Sequence, residues 1–362
     1  MSDYATKVSE GFASKVVELY YESSVSEKIT NSDYEGEIKN KASKVNILSF
    51  GAIALRTYTG ADMTTADTPQ ESNAQLTTDQ MKSYYFQIPS LSIFKSWIKN
   101  PEGTLLDGCK AQLAEAVDLY VLGLWGDVAA GNRLGTSFTT GTVTVDVTTG
   151  VVTHSGTGFL ATMVGKPFKA LGHTKWYRVA HYTSTSQIEI VDDKDDEVAA
   201  YTGGAIAGGS TFEIQALTAL QTTKALIYSH IDTLNTILNE NKIPKSDRWL
   251  VVPSRIASLI RQSPEYIPAL ESAYGEVVKR GLVGMYCGFM VYESQQVAGD
   301  SVNGWHVLAG HRSAITYALG FVETGIEDMK ANFGKAYKGL TVYGAKVIDE
   351  RRKAFAEAFL KL

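Results

Sequence analysis

Thr104–Ala130 reads TLLDGCKAQLAEAVDLYVLGLWGDVAA, and the organisation of the chain follows from it. Leu105, Cys109, Leu113, Ala116, Val117, Tyr120 and Leu124 recur at the spacing of one helix face. Asp107, Lys110, Glu115 and Asp118 fall elsewhere and leave a polar side. Pro101 and Glu102 suit a first turn, and Thr104 suits a cap just inside it. A helix of this length runs roughly 40 Å at about 1.5 Å per residue. It braces a domain without being its whole core, so the reading is a spine with strands on both sides. Gly108, Gly123 and Gly126 weaken it.

Upstream, residues 1–43 read as an arm. Phe12, Val16, Leu19 and Tyr20 make a short apolar stripe, and Asn31, Ser32, Asp33 and Gly36 make a turn. So short a helix needs a partner. Lys44–Tyr58 and Gln75–Ile88 are strand candidates around the polar tip Thr59–Ala74, which predicts an extended hairpin. Ser90–Asn100 predicts a short amphipathic helix ahead of the spine. Together 44–100 form a hairpin-and-helix region, followed by the spine over 101–134.

Downstream the composition shifts. Gly135–Ile214 is dominated by Thr, Gly and Val, with alternation at Val143, Val145 and Val147 and again at Ile188 and Ile190. Short strands at close spacing predict a small β barrel or sandwich, inserted over 135–214. Ala216–Glu240 predicts a helix carrying Leu220, Ile227, Ile231, Leu234 and Leu238 on one face. Trp249–Val252 predicts a buried strand, Ser254–Ile260 a short helix, and Leu282–Tyr292 an apolar strand with glycine turns. Trp305–Leu319 and Leu340–Ile348 predict further strands, and Glu350–Leu362 a charged terminal helix. Helices and strands mix without a βαβ rhythm, so the class is α+β.

The 362 residues suffice for two or three domains. A net charge of −5 argues against binding nucleic acid by broad phosphate neutralisation, although a protein that merely encloses DNA is compatible with it. Cys109 and Cys287, the only cysteines, read as two buried thiols in a chain folded in a reducing cytoplasm. There is no signal-like start and no apolar run long enough for a bilayer.

Chemistry is sparse. The six histidines form no metal-ligand pair, and His306 and His311 read as ordinary strand residues. The acidic run Asp192, Asp193, Asp195, Asp196 and Glu197 lacks the glycine and terminal glutamate of a calcium loop. Gly334-Lys335 is no phosphate loop, and Gly281, Gly284 and Gly288 read as turn glycines rather than a dinucleotide fingerprint. No catalytic, cofactor-binding or metal residue is assigned, and no cofactor is expected. Trp176, Tyr177, His181 and Tyr201 offer an aromatic platform for a sugar, against the alternative that Trp176 packs the small β core.

The order of arm, long hairpin, spine helix, second domain and closing strand resembles the major capsid proteins of tailed bacteriophages, which have the Hong Kong 97 fold. The resemblance is carried by Thr30–Ile38 (TNSDYEGEI) running into Val45–Ile47, by Arg248–Pro253 (RWLVVP), and by Gly281–Gly284 (GLVG) followed by Gly288–Ser294 (GFMVYES). It covers nearly the whole chain outside the insertion. It implies a peripheral domain holding the spine, an axial domain over 215–320, and a return to the peripheral domain over 321–362. The implied function is a non-enzymatic subunit of the virion that assembles with itself, as hexamers and pentamers, into an icosahedral shell around double-stranded DNA. The implied partners are a separate scaffolding protein, a portal and decoration proteins, with assembly in the host cytoplasm and no membrane. Two alternatives share some of the evidence: an encapsulin-like compartment shell, and a glycan-binding or enzymatic chain working through the insertion.

Overall fold

The computed structural model describes residues 24–32, 44–50, 71–89, 101–170, 176–192, 206–263, 284–328 and 333–362. The arm stripe Phe12–Tyr20, residues 59–70 of the hairpin tip, the helix expected over Ser90–Asn100 and most of the acidic run lie outside the described residues. The chain divides into two compact units.

The first unit comprises Met1–Ser24, Thr30–Asp118 and Ile315–Glu350. Strands β1 (Lys44–Phe50) and β2 (Glu71–Thr77) pair antiparallel from Lys44↔Thr77 to Phe50↔Glu71, so the second strand begins inside the expected tip. The second strand expected over Gln75–Ile88 is two strands, because the chain turns at Thr78-Asp79 and β3 (Gln80–Pro89) joins a different sheet. That sheet has the order β19-β20-β3, with β19 spanning Ile315–Asp328 and β20 Gly334–Val347. On one of its faces Tyr84, Phe86 and Tyr337 stack in a row, with ring centroids 6.2 and 5.2 Å apart. Gly339 makes room for this row, since a Cβ there would lie 2.3 Å from the Tyr84 ring. Ile47, Leu76, Ala318 and Ile348 form a small core beneath the hairpin stem. Asn31 forms a parallel bridge with Thr316: it donates its backbone N–H to Ile315 and accepts one from Tyr317.

The spine helix α2 spans Pro101–Leu122 and tightens into a 3₁₀ turn at Gly123–Asp127. The expected face is only partly right. Of its residues Val117 is buried, Leu105 is exposed and Leu113 is half-buried, while Val121 and Leu122, outside it, are buried and Leu119 is exposed. Asp118, expected on the polar side, is buried and accepts a 2.7 Å hydrogen bond from Ser24. A carboxylate with a hydroxyl donor can enter a core that an isolated one cannot.

The second unit comprises Val25–Ile29, Leu119–Ala314 and Arg351–Leu362, and it holds the short α1 (Ser26–Ile29). A mixed sheet at its centre has the order β13-β21-β18-β14-β16-β15. Its strands are β13 (Leu220–Gln221), β14 (Arg248–Val252), β15 (Met285–Tyr286), β16 (Phe289–Glu293), β18 (Gly304–His311) and β21 (Phe355–Lys361). Two short strands join it: β4 (Arg133–Leu134) runs parallel to β21, and β17 (Gly299–Asp300) pairs with β18. Helices α3 (Ile227–Glu240) and α4 (Ser254–Gln262) complete this part.

Several expectations are corrected here. The helix expected over Ala216–Glu240 starts only at Ile227, because Leu220 pairs as a strand with Leu360. The strand expected over Leu282–Tyr292 is a hairpin, β15–β16, turning at Cys287-Gly288 with φ of 48° and 80°. Cys109 and Cys287 are half-buried rather than buried. The charged terminal helix is instead a 3₁₀ turn at Asp349–Ala354 followed by β21, buried from Phe355 to Leu360. A strand covered on both faces has no polar–apolar alternation to reveal it.

The Thr/Gly/Val-rich stretch folds as a separate eight-stranded sheet in the order β11-β6-β7-β10-β9-β8-β12-β5. The strands are β5 (Thr136–Phe138), β6 (Val143–Val145), β7 (Val151–His154), β8 (Pro167–Ala170), β9 (Tyr177–Ser184), β10 (Gln187–Asp192), β11 (Ile206–Ser210) and β12 (Phe212–Thr218). Val152, Phe159, Phe168, Tyr177, Ile188 and Phe212 are part of its fully buried core. We refer to it below as the β domain.

Candidate functional site

Polar side chains concentrate in the second unit, in the mixed sheet. Glu357, at the middle of β21, is fully buried. Arg133 on β4 meets it with a 2.9 Å ion pair and also donates to the carbonyls of Gly126 and Val128. The other carboxylate oxygen bonds Nδ1 of His306, on β18 beside β21. His306 is sandwiched between Trp125 and Phe359, with centroids 3.9 and 4.3 Å away and planes tilted by 13° and 4°. The cluster is a buried carboxylate whose charge is matched by Arg133 on one oxygen and whose other oxygen is bonded to His306.

A cavity of about 530 Å³ opens elsewhere in the same unit. Glu27, Lys28, Lys245, Asp247, Tyr292 and Arg312 line part of it, so its rim carries both signs of charge. Lys28 lies over the Tyr292 ring, 5.3 Å from its centre. Arg248, at the back, is occupied by the carbonyls of Pro244 and Ile243 and by Asn235. The lining includes the hydroxyl of Ser246 but no histidine to act as its base.

Histidine–hydroxyl pairs do occur, at His311–Ser313 (2.8 Å) and Thr222–His230 (3.2 Å). The first is a turn bond, because Ser313 also donates its backbone N–H to the same ring nitrogen. Burial lowers the pKa of both histidines, which favours their neutral form. Among the described residues no group of three or more His, Cys, Asp or Glu could hold a metal ion, and no helix is long and apolar enough to cross a membrane.

The aromatic platform considered from the sequence does not assemble. Tyr177 is fully buried in the β-domain core, His181 is exposed, Trp176 is half-buried with Lys169 4.3 Å from its ring centre, and Tyr201 lies outside the described residues. In the first unit, apolar side chains stand in solvent instead: Met81 and Tyr85 on β3, Ile326 on β19, and Phe333, 91% exposed, before β20. Met81 and Tyr85 lie on one face of the three-stranded sheet and Ile326 on the other, because Ile326 pairs with Tyr337 and Tyr337 with Phe86. Sequence reasoning missed these residues because strand alternation alone does not say which face lacks a covering layer.

No protein-family profile matches the chain, and no curated protein sequence does. Solved structures do match it. The structure titled Mycobacterium phage Che8 superposes with a TM-score of 0.61 at 17% identity, over 96% of each chain. The capsid of cyanophage P-SCSP1u gives 0.59 at 10% identity, over 97% of this chain and 92% of that one. The mature capsid of bacteriophage PhiM1 gives 0.56 at 12% identity, over 97% and 91%. Agreement of fold at this identity, extending over almost the whole chain, establishes the architecture: the chain has the α+β Hong Kong 97 capsid fold expected from the sequence.

Proposed function

We propose that this chain is the major capsid protein of a tailed bacteriophage, a structural and non-enzymatic subunit of the virion. Copies assemble as hexamers and pentamers into an icosahedral shell that encloses double-stranded DNA. The observation that carries the reading is the likeness to capsid structures over at least nine-tenths of both chains. The exposed apolar residues of the three-stranded sheet support it, since a subunit surrounded by copies of itself has a use for them. In this reading 1–43 is the arm, 44–100 the extended loop and short helix, 101–134 the spine, 135–214 an insertion, 215–320 the axial domain, and 321–362 the return to the peripheral domain. Scaffolding, portal and decoration proteins are its partners, and the modest negative charge suits an inner wall that holds DNA without adsorbing it tightly. Negative-stain microscopy of the purified full chain, alone and co-expressed with a scaffolding protein, tests the proposal. Closed shells, tubes or capsomer rings are expected. A monodisperse monomer at high concentration under both conditions would refute it.

A further inference from the structure

The β domain leaves and rejoins the mixed sheet at a single place. Gly135 at its entry sits against Ala216 near its exit, so closely that a Cβ on Gly135 would approach the Ala216 Cα to 2.8 Å. Gly131 donates its N–H to Gln215 at the same place, 3.0 Å away. Two chain crossings side by side make one pivot, and one pivot does not set a direction.

A second anchor lies far from that pivot along the chain. The backbone of Lys166 belongs to the β domain: its carbonyl accepts from Val179 at 3.0 Å, and Gly165 donates to Val179 at 2.8 Å. Its side chain leaves the domain. The Lys166 ammonium lies 5.4 Å from the centre of the Trp125 ring and 5.4 Å from that of Phe359, the two outer rings of the stack around His306. Burial lowers its pKa, with Glu357 opposing and Arg133 reinforcing the shift, as for an ammonium partly withdrawn from water. Cation–π contacts strengthen under such desolvation.

We propose that Lys166 is a latch: its ammonium, held by Trp125 and Phe359 above the buried Glu357, fixes the direction in which the β domain projects from the mixed sheet. Without the latch the domain stays folded but swings about the Gly135–Ala216 pivot.

Amide hydrogen exchange on the full chain tests this, read separately at the pivot (residues 133–136 and 215–218), in the β-domain core and in β18 and β21. Lys166→Met keeps the aliphatic stem and removes the charge. It should speed exchange at the pivot about tenfold, the scale of one desolvated cation–π anchor, and leave both cores unchanged. Lys166→Arg should restore slow exchange. Trp125→Leu should reproduce the loss, and combining it with Lys166→Met should add nothing further. The proposal is overturned if Lys166→Met leaves the pivot unchanged, if exchange rises equally in the cores, or if the two losses add.

Discussion

The β domain and the mixed sheet are both strand cores, yet they admit charge very differently. The β-domain core is built from Val, Ile, Phe, Met and Tyr side chains, and the polar side chain buried beside it is His154. Both ring nitrogens of that histidine are used, Nδ1 taking a bond from Gly156 and Nε2 reaching the Thr140 carbonyl. The mixed sheet buries Arg133, Arg248, His306 and Glu357. In the first core the stabilisation is spread over many interchangeable apolar groups. In the second it rests on partners that must all be present, because a buried charge left alone is far more costly than a missing methyl group.

The largest expected effect is at Glu357. Glu357→Gln preserves shape and removes one charge, leaving Arg133 buried without its acid. It should cost about 3–5 kcal/mol in chemical denaturation. A loss below about 1 kcal/mol would mean that the mixed sheet tolerates charge imbalance and that the contrast is false.

Asp118→Ala comes next. The sequence alone placed this residue on the polar side of the spine, where substitution changes little. Its burial and the bond from Ser24 instead predict a loss of about 1–3 kcal/mol, read as a lower melting temperature. An unchanged melt would restore the polar-face assignment.

The matched change in the apolar core is smaller. Ile188→Val, which deletes one methylene from a fully buried site, should cost about 0.5–1.5 kcal/mol. If it costs as much as Glu357→Gln, packing precision and not charge is what distinguishes the cores.

The smallest effect is one of pH, on Asp146 at the β6–β7 turn. The backbone N–H of Thr148, followed by Thr149, lowers its pKa below the ordinary 3.8. A carboxylate depressed in the folded state contributes stability that is present above pH 3.8 and is lost as the pH falls through the folded value. Asp146→Asn should therefore flatten the acid limb of the β-domain melt slightly. An acid limb identical to that of the unsubstituted chain would show that the turn contributes nothing.

Local sequence determined what local physics governs. The spine is a helix because its apolar residues recur at helical spacing, and the α-helix gives way to a 3₁₀ turn at Gly123. The Thr, Gly and Val composition marks the stretch that forms the eight-stranded sheet, because alternation at Val143 and Val145 is visible over three residues. One strand of the hairpin stem, β1, follows from an apolar run, whereas its partner β2 lies largely in the stretch expected as the polar tip. Tertiary structure alone decided the rest. FAEAFL at the C-terminus carries glutamate and flanking charges that suit a helix, but it becomes a strand once β13, β4 and β18 pair with it and both its faces are covered. Glu357 can occupy that strand only because Arg133, more than 200 residues away in sequence, is brought within 2.9 Å. The choice of which helix face is buried, at Asp118 against Leu105 and Leu119, depends equally on the chain that folds over it, and spacing within one helix carries no record of that chain.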